Sequence, residues 1–372
     1  MAARRRSLLG GLGALVAILV AVFLLRSGRV APPAAPGGPD APGATAASPA
    51  GTTPATHPGL GTPAHPAPSA AAGTTPKKEV LAELGWGNGP SELGHHRPQE
   101  ANPEGPMSMA ADTLGNVVVL DQVNGRLLRL DPDGKPVGTF SITQQTPQDI
   151  VMAKDGTLLV LDRLKDRNVA ILDPDTGALR GELPVQGKGI PEPGLVTGTF
   201  VDGKDVYVER EHGSLIRIGD TSGQADTERP EIPGRPTRDG LSYVLAGISD
   251  HKSGRVFLNS VDRQTSAHRF TREYHLDFPV MSLTLLDSDL SGTVYLGVAG
   301  ELPSLSAAAA AQLAIRVYCL APLDGKVLGQ TDLPLNTLPE ETFRDFVVLD
   351  EGGLLYRHIT DKGVSLMRAR CH

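Results

Sequence analysis

Five apolar stretches of the chain close on a polar residue able to offer a lone pair or a charge: Asp121, Asp162, Glu209, Asn259 and His358. Two more acids, Asp149 and Asp345, open stretches of the same kind. If these stretches are strands of one repeated unit, first-strand starts and second-strand ends meet at one face, and the seven side chains share it. Carboxylate and amide oxygens gathered there could hold Ca²⁺, which takes six to eight oxygen ligands, or attract a cationic ligand. A simpler use competes. An Asp at a strand end also caps the next turn through its own side chain, and that reading is preferred for Asp121 and Asp162. His358 would make binding at such a face depend on pH between about 5 and 8.

Other chemistry is poorly supplied. His95 and His96 adjoin in a loop, and His212, His251, His268 and His275 fall at no common repeat position. The chain has no HxxxH ligand pair, nucleophile elbow or P-loop. Nothing therefore points positively to catalysis, and no cofactor is expected beyond the Ca²⁺ considered above.

The elements that must position these residues are short strands. Gly and Pro, 43 and 31 of 372 residues, are too abundant for an all-helical protein. Residues 106–142 and 147–185 repeat one pattern: a short strand, a Gly turn, an apolar strand ending in Asp, a polar turn, a third strand, an Asp-Pro-Asp turn and a fourth strand. The runs at 117–120 and 158–161 are apolar without alternation, as in strands covered on both faces. Fainter copies place the turn glycines at 115, 156, 203, 254, 292 and 352. Six four-stranded units read as an all-β, six-bladed β-propeller. The last unit shows three strands, at 343–349, 354–359 and 364–370, while residues 78–85 form an orphan strand. Pairing the two ends closes the ring and protects its edges. Residues 219–242 read as a long polar loop.

The segments Gly85–Gly94, Gly115–Asp121 and Arg126–Lys135, with Pro106 between, resemble the NHL repeat, and the match covers roughly 85–185. The resemblance implies a six-bladed NHL/TolB-like propeller, a fold that hosts enzymes and binding platforms alike. Its enzymatic members include calcium-dependent lactonases and zinc-dependent lyases. A lactonase-like site would need a Glu/Asn/Asp set on the axis, whereas three first strands here offer Val196, Ala246 and Thr284.

Two irregularities stand out. Residues 301–313 insert five consecutive alanines between the second and third strands of the fifth unit, which predicts a short helix capped by Ser304 or Ser306 on the acidic face. Cys319 and Cys371 fall on third strands of neighbouring units at depths differing by several residues, which favours two free, partly buried thiols over a bond.

Ahead of the propeller, at 78–372, the chain changes character. Arg4, Arg5 and Arg6 precede an uncharged run from Ser7 to Leu25, and nineteen helical residues span about 28 Å, close to a bilayer core. Arg26 and Arg29 stand where a cleaved signal would need small residues. A retained signal-anchor helix at 7–25 within residues 1–30 is expected, its short basic tail cytoplasmic and the bulk exported. Of the 48 residues 31–78, 42 are Ala, Pro, Gly, Thr or Ser, twelve of them Pro. Residues 31–77 are thus a disordered spacer reaching about 150 Å when extended as polyproline II.

Charge narrows the partners. Residues 1–78 carry seven Lys/Arg and one acid, Asp40, so the remaining 294 residues hold −13 of the chain's net −7. Nucleic acid is excluded, since phosphate binding needs a basic face. The expectation is a membrane-tethered propeller in the periplasm or at the cell surface, binding an envelope protein, a polysaccharide or peptidoglycan without catalysis. The alternative is a Ca²⁺-dependent lactonase- or esterase-like hydrolase.

Overall fold

Strands buried on both faces can be satisfied only if sheets stack on sheets, and that arrangement organises the molecule. A computed structural model describes residues 78–302, 312–336, 338 and 341–371. The expected membrane helix at 7–25 and the spacer at 31–77 lie outside the described residues. Within the described residues no helix is long and apolar enough to cross a membrane. The chain divides into two units, Met1–Pro68, which lies outside the described residues, and Ser69–His372, which holds the propeller.

Six antiparallel sheets form six blades. From the inner strand outward, blade one is Ser108–Ala111, Val117–Asp121, Arg126–Leu130 and Pro136–Ser141. Blade two is Asp149–Met152, Leu158–Asp162, Asn168–Leu172 and Leu179–Pro184. The second strands of both are buried throughout. Blade three runs from Val196–Asp202 through Asp205–Arg210 and Ser214–Asp220 to the short Glu231–Ile232. Blade five is Val280–Ser288, Val294–Leu302, Gln312–Leu320 and Val327–Pro334.

Blade six closes the ring as the orphan strand suggested. Phe346–Val348, Leu354–Thr360 and Gly363–Ala369 are completed by Lys78–Trp86, antiparallel to Gly363–Ala369 from Lys78↔Ala369 to Gly85↔Gly363. A two-residue strand, Glu92–Leu93, adds outside it in parallel. Trp86 fastens the junction: its Nε1–H donates to Thr360 O at 3.2 Å, and its ring stacks on His95.

Blade four departs from the repeat register read in the sequence. Its strands are Arg235–Pro236, Ser242–Asp250, Arg255–Asp262 and His268–His275. The turn between inner and second strand is centred on Gly240, not Gly254. The Thr237 N–H donates to Ser242 O and the Gly240 N–H to Thr237 O, matching the Asp112–Asn116 and Gly115–Asp112 bonds of blade one. The third-to-outer turn agrees: Asp262 N–H to Ala267 O repeats Asp173 N–H to Ala178 O of blade two. Both hairpins carry a positive-φ glycine, Gly240 at 76° and Gly254 at 67°, so glycine punctuation alone could not tell them apart. The segment 219–242 is accordingly not loop alone, although its strands Glu231–Ile232 and Arg235–Pro236 are two residues each. It supplies the outer strand of blade three and the inner strand of blade four.

Apolar clusters fill each seam, such as Met109, Val119, Leu355 and Leu366 between blades six and one. The seam between blades three and four is thinner. There the buried apolar cluster is Phe200, Tyr207 and Leu215, supplemented by Arg235 over the Phe200 ring and Arg263 over Tyr243.

Two further expectations change. Glu301↔Leu313 and Leu302↔Gln312 are ladder pairs, so the ends of the insertion are strand; residues 303–311, where the helix was expected, lie outside the described residues. Cys319 and Cys371 are bonded, with Cα atoms 6.0 Å apart. Cys371 lies beyond the last ladder residue, Ala369, so strand depth does not govern its position.

Candidate functional site

Chain direction sends first-strand starts and second-strand ends to one mouth of the ring, and six of the seven predicted residues lie on such segments. Their side chains, however, are committed individually. Asp121 is fully buried and accepts from the Gly94 N–H at 2.8 Å, Asn124 Nδ2 at 2.9 Å and Arg126 Nε at 2.7 Å. Asp162, also buried, accepts from the Thr146 N–H and Oγ1 and from the N–H groups of Leu164 and Lys165. Burial would raise its pKa, but these hydrogen bonds prevail and hold it below the usual carboxylate range. Both are turn anchors, as the competing reading of the sequence had it.

Asp345 binds Arg357, whose side chain is fully buried, through Nη2 at 2.6 Å. Glu209 accepts from Thr197 Oγ1 and Arg235 Nη2. His358 pairs with Asn336 Oδ1 at 3.2 Å, and burial lowers its pKa despite the opposing pull of Glu83 and Asp345. Asn259 is not on a second strand at all. Blade four's shifted register puts it on the third strand, where its Oδ1 accepts from Thr271 Oγ1. Of the seven, Asp149 and Glu209 approach each other, their carboxylates flanking Gly198. Among the described residues, no group of three or more His, Cys, Asp or Glu is placed to hold a metal ion.

Asp149 leads to the centre of the molecule. It is fully buried at the start of an inner strand and accepts from Ser108 Oγ at 2.6 Å and the Thr199 N–H at 2.8 Å. Arg344, just ahead of blade six's inner strand, reaches across the channel and grips it with two bonds, Nε at 3.1 Å and Nη2 at 2.8 Å. Arg344 Nη2 also donates to Thr199 O of blade three. One guanidinium thus ties blades six, two and three. Burial acts to lower the Arg344 pKa, but Asp149 foremost, then Asp287 and Glu209, carry it above the ordinary arginine value. The group stays charged at any physiological pH.

Arg344 and Asp149 form a floor. Above it, toward the opposite mouth, the channel widens into a cavity of about 240 Å³. Its walls are the later residues of the inner strands, including Ile150, Val151, Phe200, Phe346 and Val348. The rim is made by inner-to-second-strand turns, with Thr113, Lys154 and Gly203 exposed. Three turn tips on this side carry exposed leucines: Leu114, Leu241 and Leu290 are 76%, 53% and 44% accessible. Arg238, from the turn of blade four, braces the wall. It donates to Asp287 Oδ2 at 2.9 Å, Asp350 Oδ1 at 3.0 Å and Val348 O at 2.9 Å. The arrangement can enclose a small apolar group and offer it a few fixed donors, the composition of a ligand pocket.

Sequence reasoning missed this site. Arg344 and Arg238 were invisible because an arginine's partners come from other blades, and Arg238 sat in the supposed loop. The available signal was a leucine close to the turn glycine in blades one, four and five, at Leu114 beside Gly115, Leu241 beside Gly240 and Leu290 ahead of Gly292.

No protein-family model matches the chain, and no curated protein matches it. Among solved structures it is similar to the hydrazine synthase of Kuenenia stuttgartiensis, at 17% identity over 70% of this chain and 76% of that one, with a TM-score of 0.43. BamB from Moraxella catarrhalis shares 14% identity over 71% and 86% of the respective chains, with a TM-score of 0.40. A streptogramin B lyase structure shares 11% over 75% and 97%, with a TM-score of 0.39. The propeller assignment stands on strand order and register.

Proposed function

We propose that the protein is a membrane-tethered, NHL-like propeller held outside the cytoplasm, where it binds an envelope protein at the leucine-rimmed mouth of its channel. The observation that carries this reading is the blind cavity. Its walls mix apolar inner-strand side chains with charged ones, its floor is sealed by a buried ion pair, and three of the turns on that face carry exposed leucines. Leu114, Leu241 and Leu290 are exposed on turns of that same face, which supports a docking role for it. The tether and export rest on the basic tail, the uncharged run 7–25 and the proline-rich spacer. The Cys319–Cys371 bond supports an oxidising compartment.

A photo-crosslinking amino acid placed at Leu114 or Leu241 in intact cells tests the reading. Both positions are expected to capture one and the same protein, and Ala111→Trp, at the half-buried cavity wall, is expected to abolish capture. The same probe at Val137, on the outer edge of blade one, is expected to capture none of it. Equal capture from Val137 would remove the mouth as the docking surface. The rival reading, a Ca²⁺-dependent hydrolase, is checked by metal analysis of the purified protein and a screen of lactones and esters. Stoichiometric calcium with turnover would replace the present proposal.

A further inference from the structure

The geometry points to a specific cargo for the cavity: an apolar group of side-chain size headed by a neutral carbonyl oxygen, presented by the docked protein. This rests on the reading of the cavity as the docking site. Size comes first. At about 240 Å³ the cavity falls below the roughly 300–1,000 Å³ of pockets that swallow drug-sized molecules. At about 30 Å³ per water-sized group it has room for at least about eight, which suits one long side chain or a small amide.

The polar requirement follows from the floor. Arg344 uses Nε and Nη2 on Asp149 and Thr199, and its Nη1 has no hydrogen-bond partner among the described residues. Its side chain is 19% accessible and lines the cavity. An apolar occupant that expelled water would strand those N–H donors, at the cost of leaving polar groups unpaired in a dry site. The occupant must therefore bring an acceptor.

The charge on that acceptor is set by what already surrounds the arginines. Arg344 is matched by Asp149, and Arg238 by both Asp287 and Asp350. Across the lining as a whole Arg238, Arg344 and Lys154 stand against Asp112, Asp202, Asp287 and Asp350, with Asp149 beneath the floor, so there is no excess positive charge to receive an anion. A carboxylate head would lose its hydration and meet like charges, whereas an amide or acyl carbonyl accepts the same hydrogen bond with a much smaller desolvation cost and no charge repulsion. A cation is disfavoured at the floor, where Arg344 presents its free donors. The inner strands add to this preference. Each is the edge strand of its sheet, so half of its backbone N–H and C=O groups face the channel and can pair with an amide.

The test uses the full chain in detergent micelles and three probes with the same hydrocarbon tail: hexanamide, hexanoate and hexylammonium. Ligand-observed NMR titration is expected to show hexanamide binding at least about tenfold more tightly than either ion. Hexanoate binding as well or better would overturn the inference while leaving the cavity as the docking site. Retention of hexanamide binding in Ala111→Trp would instead overturn the docking site itself. Arg344→Lys keeps the charge opposite Asp149 but removes Nη1, and is expected to bring the amide-to-carboxylate ratio near unity. An unchanged ratio, in a variant whose melting confirms folding, would exclude Arg344 as the selector. A capped Leu-Gln-Leu peptide is expected to compete with hexanamide. If it does not, the partner-protein source is wrong and a free amide is the cargo.

Discussion

Asp149 and Arg344 show how costly a central ion pair becomes once a ring closes around it. Asp149 has no solvent access and Arg344 is its charged partner, so Arg344→Met leaves a buried carboxylate unpaired. A loss of about 3–5 kcal/mol is expected, seen as a lower urea midpoint, with partial recovery when Asp149→Asn is added. Asp162 acts as a turn anchor whose charge matters. Its folded pKa lies below the unfolded one, so its contribution is present above about pH 4 and is lost as pH falls through the folded value. Asp162→Ala is expected to cost about 2–4 kcal/mol at neutral pH and to flatten that acid limb. His358 tilts stability the same way by a different route. Burial lowers its pKa, so the unfolded chain binds the extra proton first, and stability falls as pH drops below about 6.5. Urea midpoints of His358→Asn measured from about pH 5 to 7 should vary less than those of the parent. The lowered pKa of His358 moves any pH-tuned binding through it toward the acid end of that range.

Strand closure and the thin seam make the blades unequal. The closing strand Lys78–Trp86 holds Leu84 at 2% exposure in the seam between blades six and one. Leu84→Asp puts a charge there and is expected to open blade six, detected as rapid exchange of the Val364 and Leu366 amides. Next to that ladder the disulfide pins the end of blade six to blade five. Reduction is expected to lower the melting temperature without altering blades two and three. In the oxidised protein, hydrogen exchange should instead open first along the blade three–four seam, where a two-residue inner strand and two arginine–aromatic contacts replace a broad apolar interface. Uniform protection across all six seams would contradict this ranking.

The molecule as a whole joins a positively charged N-terminal stretch to an acidic ring. A reporter enzyme that folds only in an oxidising compartment, fused after His372, is expected to be active and to sediment with membranes. Removing residues 1–30 should abolish both, and activity retained in the soluble fraction would refute tethering. Asp121, Asp149, Asp162 and Asp345 are each committed to internal hydrogen bonds or ion pairs, so partner binding should depend little on them and change little between low and high salt. A steep salt dependence would return attention to the acidic mouth.

Much of the ring was legible because its causes are local. Turn glycines, Asp-Pro-Asp corners and non-alternating apolar runs are consequences of hairpin geometry and two-sided burial, and they revealed six blades and the closing role of residues 78–85. Blade four was misregistered because one Gly turn resembles another and a two-residue inner strand leaves no periodicity to read. Chain direction carries the aligned residues, Asn259 excepted, to one end of the ring, but alignment fixes an address and not a direction. Whether Asp121 serves a turn or a ligand is decided by Gly94 and Arg126, and whether Asp149 is free by Arg344, 195 positions away. Such pairings cross blades, and distances across a closed ring depend on all six sheets together. The cavity, its sealed floor and the disulfide therefore came into view only when the ring was assembled.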